Sequence, residues 1–404
     1  MVKLVFWACC VLLAYVYVLY PAAVRALART VGTRERRGSA LARVTVIVTA
    51  YNEERCIRAK LDNLFGLNYP AELLDVLVVS DGSSDATEAI AASYDPRRVR
   101  VIRIEGRQGK TACQNAAAAQ ASGEILVFTD ATTRLQADAL RHLVERFADA
   151  NVGCVAGRLV YVTEVDNVTG RELETYWSYE LRLRAGESAL GSLIGVSGCL
   201  YAVRRSAYRP MHPALISDFV IAMRMREQGL RTVLAPDAVC FEATLDHGRH
   251  ELSMRVRVAV RSLNALIRER RFLNPLRYGY FAWQLWSHKV LRYASPLLWL
   301  GALVANVAIV MSYVTVARDP AHSHDNLLYV LLHLPPGGAG YLLLLIGQVV
   351  LLGSGIVGFV LQDNHRNPGV FAKPYYFLLT NIASLIATLR YLQGERMIVW
   401  NPMR

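Results

Sequence analysis

Four apolar stretches constrain the fold of this 404-residue chain more than any other feature. They cover residues 4–20, 294–317, 341–361 and 375–392. An α-helix needs roughly 17–25 residues of this kind to cross a bilayer. Only the last stretch contains a charged residue, Arg390, which lies near its end. We therefore expect one membrane-spanning helix before residue 25, three after residue 293, and a folded domain between them.

The positive charge of the chain lies mainly beside these stretches. Residues 25–43 hold six Arg and one Glu, and residues 251–292 hold nine Lys or Arg and two Glu, which accounts for the net charge of +12. Because basic loops stay in the cytoplasm, we expect residues 25–293 there and residues 318–340 outside a cell membrane, inner or plasma, that the chain crosses several times. The side of the C-terminus stays open. Only Lys3 precedes the first apolar run, so an anchor is favoured over a cleaved signal peptide.

The second basic stretch predicts helices at a membrane surface. Arginines and aliphatic residues alternate there at helical spacing, and the aromatic residues typical of a membrane interface follow. A solvated helix face is the other interpretation, and nucleic acid is excluded because no RNA or DNA module accompanies the charge. The predicted boundaries are 1–24 for a transmembrane helix, 25–43 for a basic segment, 44–250 for a folded domain, 251–293 for interface helices and 294–404 for about three further transmembrane helices.

Between the basic stretches, short apolar runs alternate with helical patterns. Strands are predicted at 44–49, 75–80, 99–104 and 124–129, with an alanine-rich helix over 109–122. This order is typical of an α/β domain with a parallel sheet and helices on both faces. Such sheets bind ligands beyond the carboxyl ends of their strands.

Polar residues follow the predicted strands at those ends. Tyr51 and Glu53 follow the first strand, Asp81 follows the second, Lys110 begins the alanine-rich helix and Asp130 follows the fourth strand. The carboxylates of Glu53 and Asp81 suit a base and a ribose, Lys110 suits a phosphate at a helix start, and Asp130 suits Mg²⁺ or Mn²⁺. A cap or turn explains each residue alone, but four such loops in register favour a nucleotide site.

The ordered motifs resemble those of family 2 membrane glycosyltransferases of the GT-A fold, a group that includes cellulose, hyaluronan and poly-N-acetylglucosamine synthases. The matching segments are Thr49-Ala50-Tyr51-Asn52-Glu53, Ser80-Asp81-Gly82-Ser83, Gly109-Lys110 with Asn115, Thr129-Asp130-Ala131-Thr132, Gly195 to Arg204, and Ile216-Ser217-Asp218-Phe219.

The resemblance implies a role for each of these segments. Glu53 and Asp81 would contact uridine, Lys110 would approach the diphosphate, and Asp130 would bind the metal. The segment with Gly198 and Tyr201 would lie on the acceptor side, and Asp218 would be the general base. A helix N-cap before an apolar helix at 219–225 is the alternative for Asp218.

Three positions depart from the family pattern. The usual Asp-x-Asp is Asp130-Ala131-Thr132, and the acidic pair at the second strand end is Ser80-Asp81. The Gln-x-x-Arg-Trp motif of many processive synthases is replaced by Met254-Arg255-Val256-Arg257-Val258. Arg257 can still serve a phosphate, but the Trp platform for an acceptor sugar is missing. Trp177 or Tyr179 could replace the platform, although such aromatic residues more often pack in a core.

These expectations define one function and two alternatives. The first is an inverting transfer from a UDP-sugar to a growing, β-linked extracellular polysaccharide. The second is the transfer of one sugar to a membrane lipid, such as a polyprenyl phosphate or a sphingolipid, which the missing Gln and Trp favour. The third, disfavoured by the acidic residues that remain, is a non-catalytic scaffold subunit.

Overall fold

A computed structural model describes residues 1–33, 36–162, 168–243, 248–317, 334–364 and 368–396. The chain divides into two compact units. The first contains Met1–Ala23, Asp246–Val256 and Trp286–Leu389, and the second contains Val24–Leu245, Arg257–Leu285 and Arg390–Arg404.

The second unit is built on one mixed sheet. Its strands are β1 (Val44–Ala50), β2 (Leu74–Ser80), β3 (Val99–Arg103), β4 (Ile125–Asp130), β5 (Arg134–Leu135), β6 (Val152–Val162), β7 (Leu200–Arg204) and β8 (Arg231–Ala243). They lie in the order β3-β2-β1-β4-β7-β6-β8-β5.

The predicted parallel sheet is confirmed for the first four strands. β1 pairs in parallel with β2 and β4, and β2 pairs in parallel with β3. β7 joins β4 in the antiparallel sense, and β6 and β8 extend the sheet. All residues of β1 are buried, because a central strand with helices on both faces has no side for water.

The strand register brings the polar strand ends to one edge. Thr49 lies opposite both Val79 of β2 and Asp130 of β4, and Ala50 lies opposite Ser80. The next residues, Tyr51 and Asp81, therefore leave the sheet beside Asp130. This edge is where the sequence places its candidate site.

The described residues also form α-helices. In chain order they are α1 (Val2–Ala14), α2 (Tyr20–Val31), α3 (Ile57–Phe65), α4 (Thr87–Ala92), α5 (Lys110–Gln120), α6 (Ala139–Val144), α7 (Val168–Ala189), α8 (Ser217–Glu227), α9 (Gly248–Arg268), α10 (Pro275–Tyr278), α11 (Tyr280–Leu285), α12 (Leu291–Ala317), α13 (Pro336–Asp363) and α14 (Ala372–Leu392).

Within the described residues, four helical segments are long and apolar enough to span a membrane, as the sequence predicts. They are Val2–Val31, Tyr280–Val316, Gly337–Asp363 and Gly369–Leu392. The first differs from the prediction at its end, because the helix continues through Arg25 and Arg29 to Val31. Most of the loop at 318–340 lies outside the described residues.

Within the first unit, α1 packs against α12. Phe6 is buried against Ala302, Ala305 and Ile309. Trp7 Nε1 donates a hydrogen bond of 3.0 Å to the Tyr341 hydroxyl. Large apolar side chains such as Leu343, 69% exposed, face outward, as expected of helices in lipid.

The helix predicted at the membrane surface forms, but some of its polar residues are buried. In its second-unit portion Arg261 is 7% exposed and Asn264 is 1% exposed, whereas Val258 is 45% exposed. Asn264 Nδ2 donates to the carbonyl of Ala214 at 3.2 Å. Arg261 is therefore buried within the second unit, whereas the helical spacing of the basic stretch predicts its arginines on a face at the membrane surface.

Candidate active site

The loops that follow β1 and β2 are joined by hydrogen bonds. Asn52 adopts a positive φ of 54°, a conformation that Asn tolerates better than most residues. Its amide donates to Ser83 Oγ at 3.1 Å, and its side-chain oxygen accepts from the Ser84 amide at 2.8 Å. The Glu53 amide donates to Thr87 Oγ1 at 2.7 Å. We call residues 51–54 and 81–88 the paired loops.

Asp81 anchors a third loop to them. Its carboxylate is fully buried and accepts from the Gln108 amide at 2.8 Å and from the Gly109 amide at 3.0 Å. The Arg107 guanidinium of this loop lies 3.6 Å from the centre of the Tyr51 ring. Asp81 thus fixes the start of α5. The predicted contacts of Asp81, Tyr51 and Glu53 with a nucleotide sugar stay predictions.

Lys110, the first residue of α5, forms an ion pair with Asp130 at the end of β4. Its Nζ also donates to the carbonyl of Gly198 at 3.3 Å. Burial lowers the pKa of Lys110, but the Asp130 carboxylate outweighs burial and the pKa is raised overall. The ammonium is therefore charged at neutral pH, beside the carboxylate predicted to bind metal.

Asp218 also lies near this lysine, at Gly198. A Cβ atom added at Gly198 would be 3.1 Å from both Asp218 Oδ2 and Lys110 Nζ. The Val196 amide donates to the carbonyl of Asp218 at 2.8 Å, which ties the glycine loop to α8. We call Lys110, Asp130, Gly198 and Asp218 the charged cluster. The structure brings together all four of these sequence-predicted residues.

The N-cap alternative for Asp218 is wrong. Helix α8 begins at Ser217 with Ile216 as its cap residue, whose side chain makes no capping hydrogen bond. Asp218 lies in the first turn, where the helix dipole stabilises a carboxylate. The Ser217-Asp218 pair therefore does not need to be explained as a cap.

Two further cations surround Asp218. Burial lowers the pKa of the Arg184 and Arg261 guanidinium groups, and the Asp218 charge opposes this shift in both. Arg184 Nη2 donates to the carbonyl of Gly195 at 3.2 Å, and Arg261 Nη2 lies 3.5 Å from the carbonyl of Leu215. Burial also lowers the pKa of Arg257, one turn before Arg261. The charges of Glu180 and Glu187 also oppose the shift of the Arg184 pKa, so this region holds carboxylates as well as cations.

The metal prediction can be tested against the oxygen atoms near Asp130. Glu242 of β8 has one carboxylate oxygen 3.4 Å from Thr132 Oγ1, and burial together with the Asp130 charge raises its pKa. Among the described residues, no three His, Cys, Asp or Glu side chains form a complete metal site. Two carboxylates and a hydroxyl nevertheless suit Mg²⁺ or Mn²⁺ when phosphate oxygens complete the shell. The residues fit such a cation.

Tyr201 has a different environment from the one predicted. Its ring is fully buried and stacks on Phe128 with 4.8 Å between ring centres. Its hydroxyl donates to Gln114 Oε1 at 3.2 Å. Contact between this ring and an acceptor would require the core to open, so we assign Tyr201 a packing role. The Trp177 side chain lies outside the described residues.

Several site residues could not be found from sequence motifs. Glu242 is remote in sequence from Asp130, and Arg184 belongs to α7, which contains none of the family motifs. Thr111 Oγ1 donates to the carbonyl of Leu215 at 2.7 Å, and Asn115 bonds Met211 in both directions. These contacts of α5 hold the segment that leads into α8. Only Asn115 carried a signal, as part of the Gly109-Lys110 motif.

The sequence comparisons agree with this geometry. Residues 45–211 match the model of glycosyl transferase family 2. The chain contains a family 2 glycosyltransferase domain. The resemblance inferred from the motifs is thereby confirmed.

Curated relatives match over part of their length. The chain is 30% identical over 178 residues to a beta-monoglucosyldiacylglycerol synthase of Trichormus variabilis, covering 43% of this chain and 38% of that protein. It is 24% identical over 205 residues to a poly-beta-1,6-N-acetyl-D-glucosamine synthase of Staphylococcus aureus, covering 49% of each. The chain thus spans about half, or less, of the relatives it matches.

A solved structure shares the fold over the whole chain. A mannosyltransferase from Pyrobaculum calidifontis, solved with GDP-Man and Mn²⁺, superposes with a TM-score of 0.72 at 21% identity, covering 98% of this chain and all of that one. The glycosyltransferase fold with helices at both ends of the chain is therefore confirmed.

Proposed function

We propose that the protein is a membrane-integral, inverting glycosyltransferase that moves a sugar from a UDP-sugar to the growing end of a β-linked extracellular glycan. Its catalytic unit would lie in the cytoplasm, where nucleotide sugars are made, and its helices would anchor it in the cell membrane. The four candidate spans and the basic segment after the first of them support this placement.

One observation carries the proposal. The Asp218 carboxylate and the Lys110 ammonium both lie beside Gly198, 3.1 Å from the position of a Cβ atom added there. Lys110 also forms an ion pair with Asp130. A candidate base, a cation and a metal-binding carboxylate therefore meet at the carboxyl edge of the sheet. Direct displacement at a sugar carbon needs a base at the acceptor and positive charge at the leaving diphosphate.

The reaction can be written from these residues. Asp218 takes the proton of an acceptor hydroxyl, and the hydroxyl oxygen forms a bond to the anomeric carbon. The bond between that carbon and the diphosphate oxygen breaks, and its electron pair leaves with the nucleoside diphosphate. One displacement inverts the carbon, so an α-linked donor gives a β-glycoside. No covalent enzyme intermediate is required.

Positive charge stabilises the leaving group. A divalent cation, when bound, neutralises charge that develops on the diphosphate. Asp130 and Glu242 would hold the cation, with Thr132 between them. Lys110 neutralises Asp130 in its absence, and Arg257 would approach the phosphates from α9.

A lipid acceptor is the second candidate. Position 258, where processive synthases of this family carry Trp, holds a valine that is 45% exposed, so α9 offers no aromatic platform there. A relative is named as a synthase of a glucosylated diacylglycerol, whereas another is named as a polysaccharide synthase. Single transfer to a lipid therefore stays beside polymer extension.

Product analysis separates the two candidates. The full-length protein in lipid nanodiscs would be incubated with radiolabelled UDP-glucose, UDP-N-acetylglucosamine or GDP-mannose, with Mg²⁺, Mn²⁺ or chelator. A ladder or polymer from a UDP-sugar supports the proposal, and one organic-extractable product supports lipid glycosylation. Incorporation from GDP-mannose alone would contradict the UDP-sugar assignment. No incorporation from any donor would favour a non-catalytic scaffold.

A further inference from the structure

Lys60 of α3 is a buried cation outside the motifs that define the site. It is 2% exposed, although lysine is almost never fully buried unless it is paired. Its Nζ donates to Thr129 Oγ1 at 2.8 Å, to the carbonyl of Thr133 at 2.7 Å and to Thr133 Oγ1 at 3.2 Å. An ammonium has three protons, so all of its donors have partners.

These partners enclose the turn that carries the proposed metal-binding residues. The hydroxyls of Thr129 and Thr133 lie 2.9 Å apart, and Thr133 Oγ1 donates to the carbonyl of Asp130 at 3.0 Å. Thr129 Oγ1 donates to the carbonyl of Cys199 at 2.8 Å, which joins the turn to the segment after Gly198. Lys60 therefore fastens both ends of residues 129–133 from inside the protein.

A cation at this position is costly to bury. Burial lowers the pKa of Lys60 to about 7, although the Asp130 charge opposes that shift. A buried charge costs free energy, and a well-packed apolar residue of similar volume is often as stable or more stable. Methionine has nearly the length of lysine and would fill the same space. The hydrogen bonds to the turn are what methionine would lose.

We propose that Lys60 is a positioning residue that holds the 129–133 turn so that Asp130 and Thr132 can bind a divalent cation together with the donor diphosphate. This inference rests on the proposed function and assigns no contact between Lys60 and the substrate. Outer-shell groups that orient metal ligands are worth about 10- to 100-fold in metal affinity.

Asn63 supplies a matched control on the same helix. Its Nδ2 donates to the carbonyl of Leu135 at 3.0 Å, and its Oδ1 accepts from the Leu135 amide at 2.7 Å. Asn63→Ala therefore also removes anchoring bonds between α3 and the chain after β4, but it spares the 129–133 turn. A loss that is only structural would appear in both variants.

The test measures Mn²⁺ binding to the full-length protein in nanodiscs, by the amplitude of the free Mn²⁺ electron paramagnetic resonance signal. Mn²⁺ is titrated alone, with UDP and with GDP, and the melting temperature is recorded for each variant. We expect Lys60→Met to raise the Mn²⁺ dissociation constant in the presence of nucleotide by about 10- to 100-fold. Asn63→Ala should lower the melting temperature and leave that constant unchanged.

Thr133→Val removes the Thr133 Oγ1 contacts with Lys60, Thr129 and the Asp130 carbonyl but keeps the main-chain carbonyl that Lys60 also contacts, and it replaces Lys60→Met if that variant fails to fold. Weaker Mn²⁺ binding by Thr133→Val also supports the inference. Wild-type affinity in every folded variant of Lys60 and Thr133, or an equal loss in Asn63→Ala, would overturn this inference alone. A wild-type protein that binds no Mn²⁺ with either nucleotide would overturn the proposed metal use as well.

Discussion

The loops at the ends of β1 and β2 are held by hydrogen bonds from main-chain amides to side-chain oxygens, whereas the end of β4 is held by contacts between charged side chains. In the paired loops, the Asn52 amide, the Ser84 amide and the Glu53 amide each have a side-chain partner across the gap. In the charged cluster, Lys110 contacts Asp130 directly, and a Cβ atom added at Gly198 would be 3.1 Å from both Lys110 Nζ and Asp218 Oδ2.

This difference indicates a division of labour. Loops joined through the backbone hold a fixed shape, which suits recognition of an invariant nucleotide. Charged side chains that lie close together can stabilise the charge that develops when a bond breaks, which suits the reacting centre. We therefore expect substitutions in the charged cluster to lower turnover or metal binding, and substitutions at the paired loops to lower stability first.

Apart from the loss of Asp218 itself, the largest effect should come from one methyl group added to the charged cluster. In Gly198→Ala the new Cβ would be 3.1 Å from both Asp218 Oδ2 and Lys110 Nζ, so one of them must move. Relieving this contact takes a shift of a few tenths of an ångström. Since a displacement of about 1 Å can cost about 100-fold in rate, we expect kcat to fall by up to about that factor. Gly195→Ala, whose Cβ would meet Phe219 at 3.3 Å, is the control and should lose much less. Equal kcat values for the two variants would remove Gly198 from the cluster.

The next effect tests the metal. Asp130→Ala removes the carboxylate that pairs with Lys110, and Glu242→Gln removes the charge near Thr132. We expect either change to weaken Mn²⁺ binding in the presence of UDP at least about tenfold, the scale seen when a metal site loses support. Calorimetric titration measures this. Wild-type Mn²⁺ affinity in Asp130→Ala, or UDP affinity in that variant that equals the wild-type value both with and without chelator, would contradict the assignment.

The smallest effect should come from the loop anchor. Asp81→Asn replaces one acceptor oxygen with an NH₂ group that faces the donating amides of Gln108 or Gly109. Leaving such a buried group without a partner costs about 1–3 kcal/mol, so the melting temperature should fall. Asp75→Asn, on the same strand, keeps one oxygen for Thr45 Oγ1 and should change less. A stable Asp81→Asn protein with lost turnover would reverse the proposed division of labour.

The two regions also differ in how far sequence could predict them. The strand ends followed from local patterns, because apolar runs define strands and parallel strands end at one edge. The four candidate spans followed from length and composition. Lys60 and Glu242 could not be predicted, because their partners are distant in the chain and depend on how strands far apart in sequence meet. Tyr201 was predicted on the acceptor side, but its ring is buried against Phe128. A motif gives the position of a residue on a strand but not the face of the sheet on which its side chain lies.

The most direct test of the account is the Asp218→Asn variant, assayed for both transfer and UDP binding. The amide keeps the shape of the carboxylate but cannot take a proton from the acceptor. We expect transfer to fall by about 100- to 10,000-fold, the range for a lost general base, while the UDP dissociation constant stays near its wild-type value. Wild-type turnover by this variant would contradict the assignment of Asp218 as the base and, with it, the proposed mechanism.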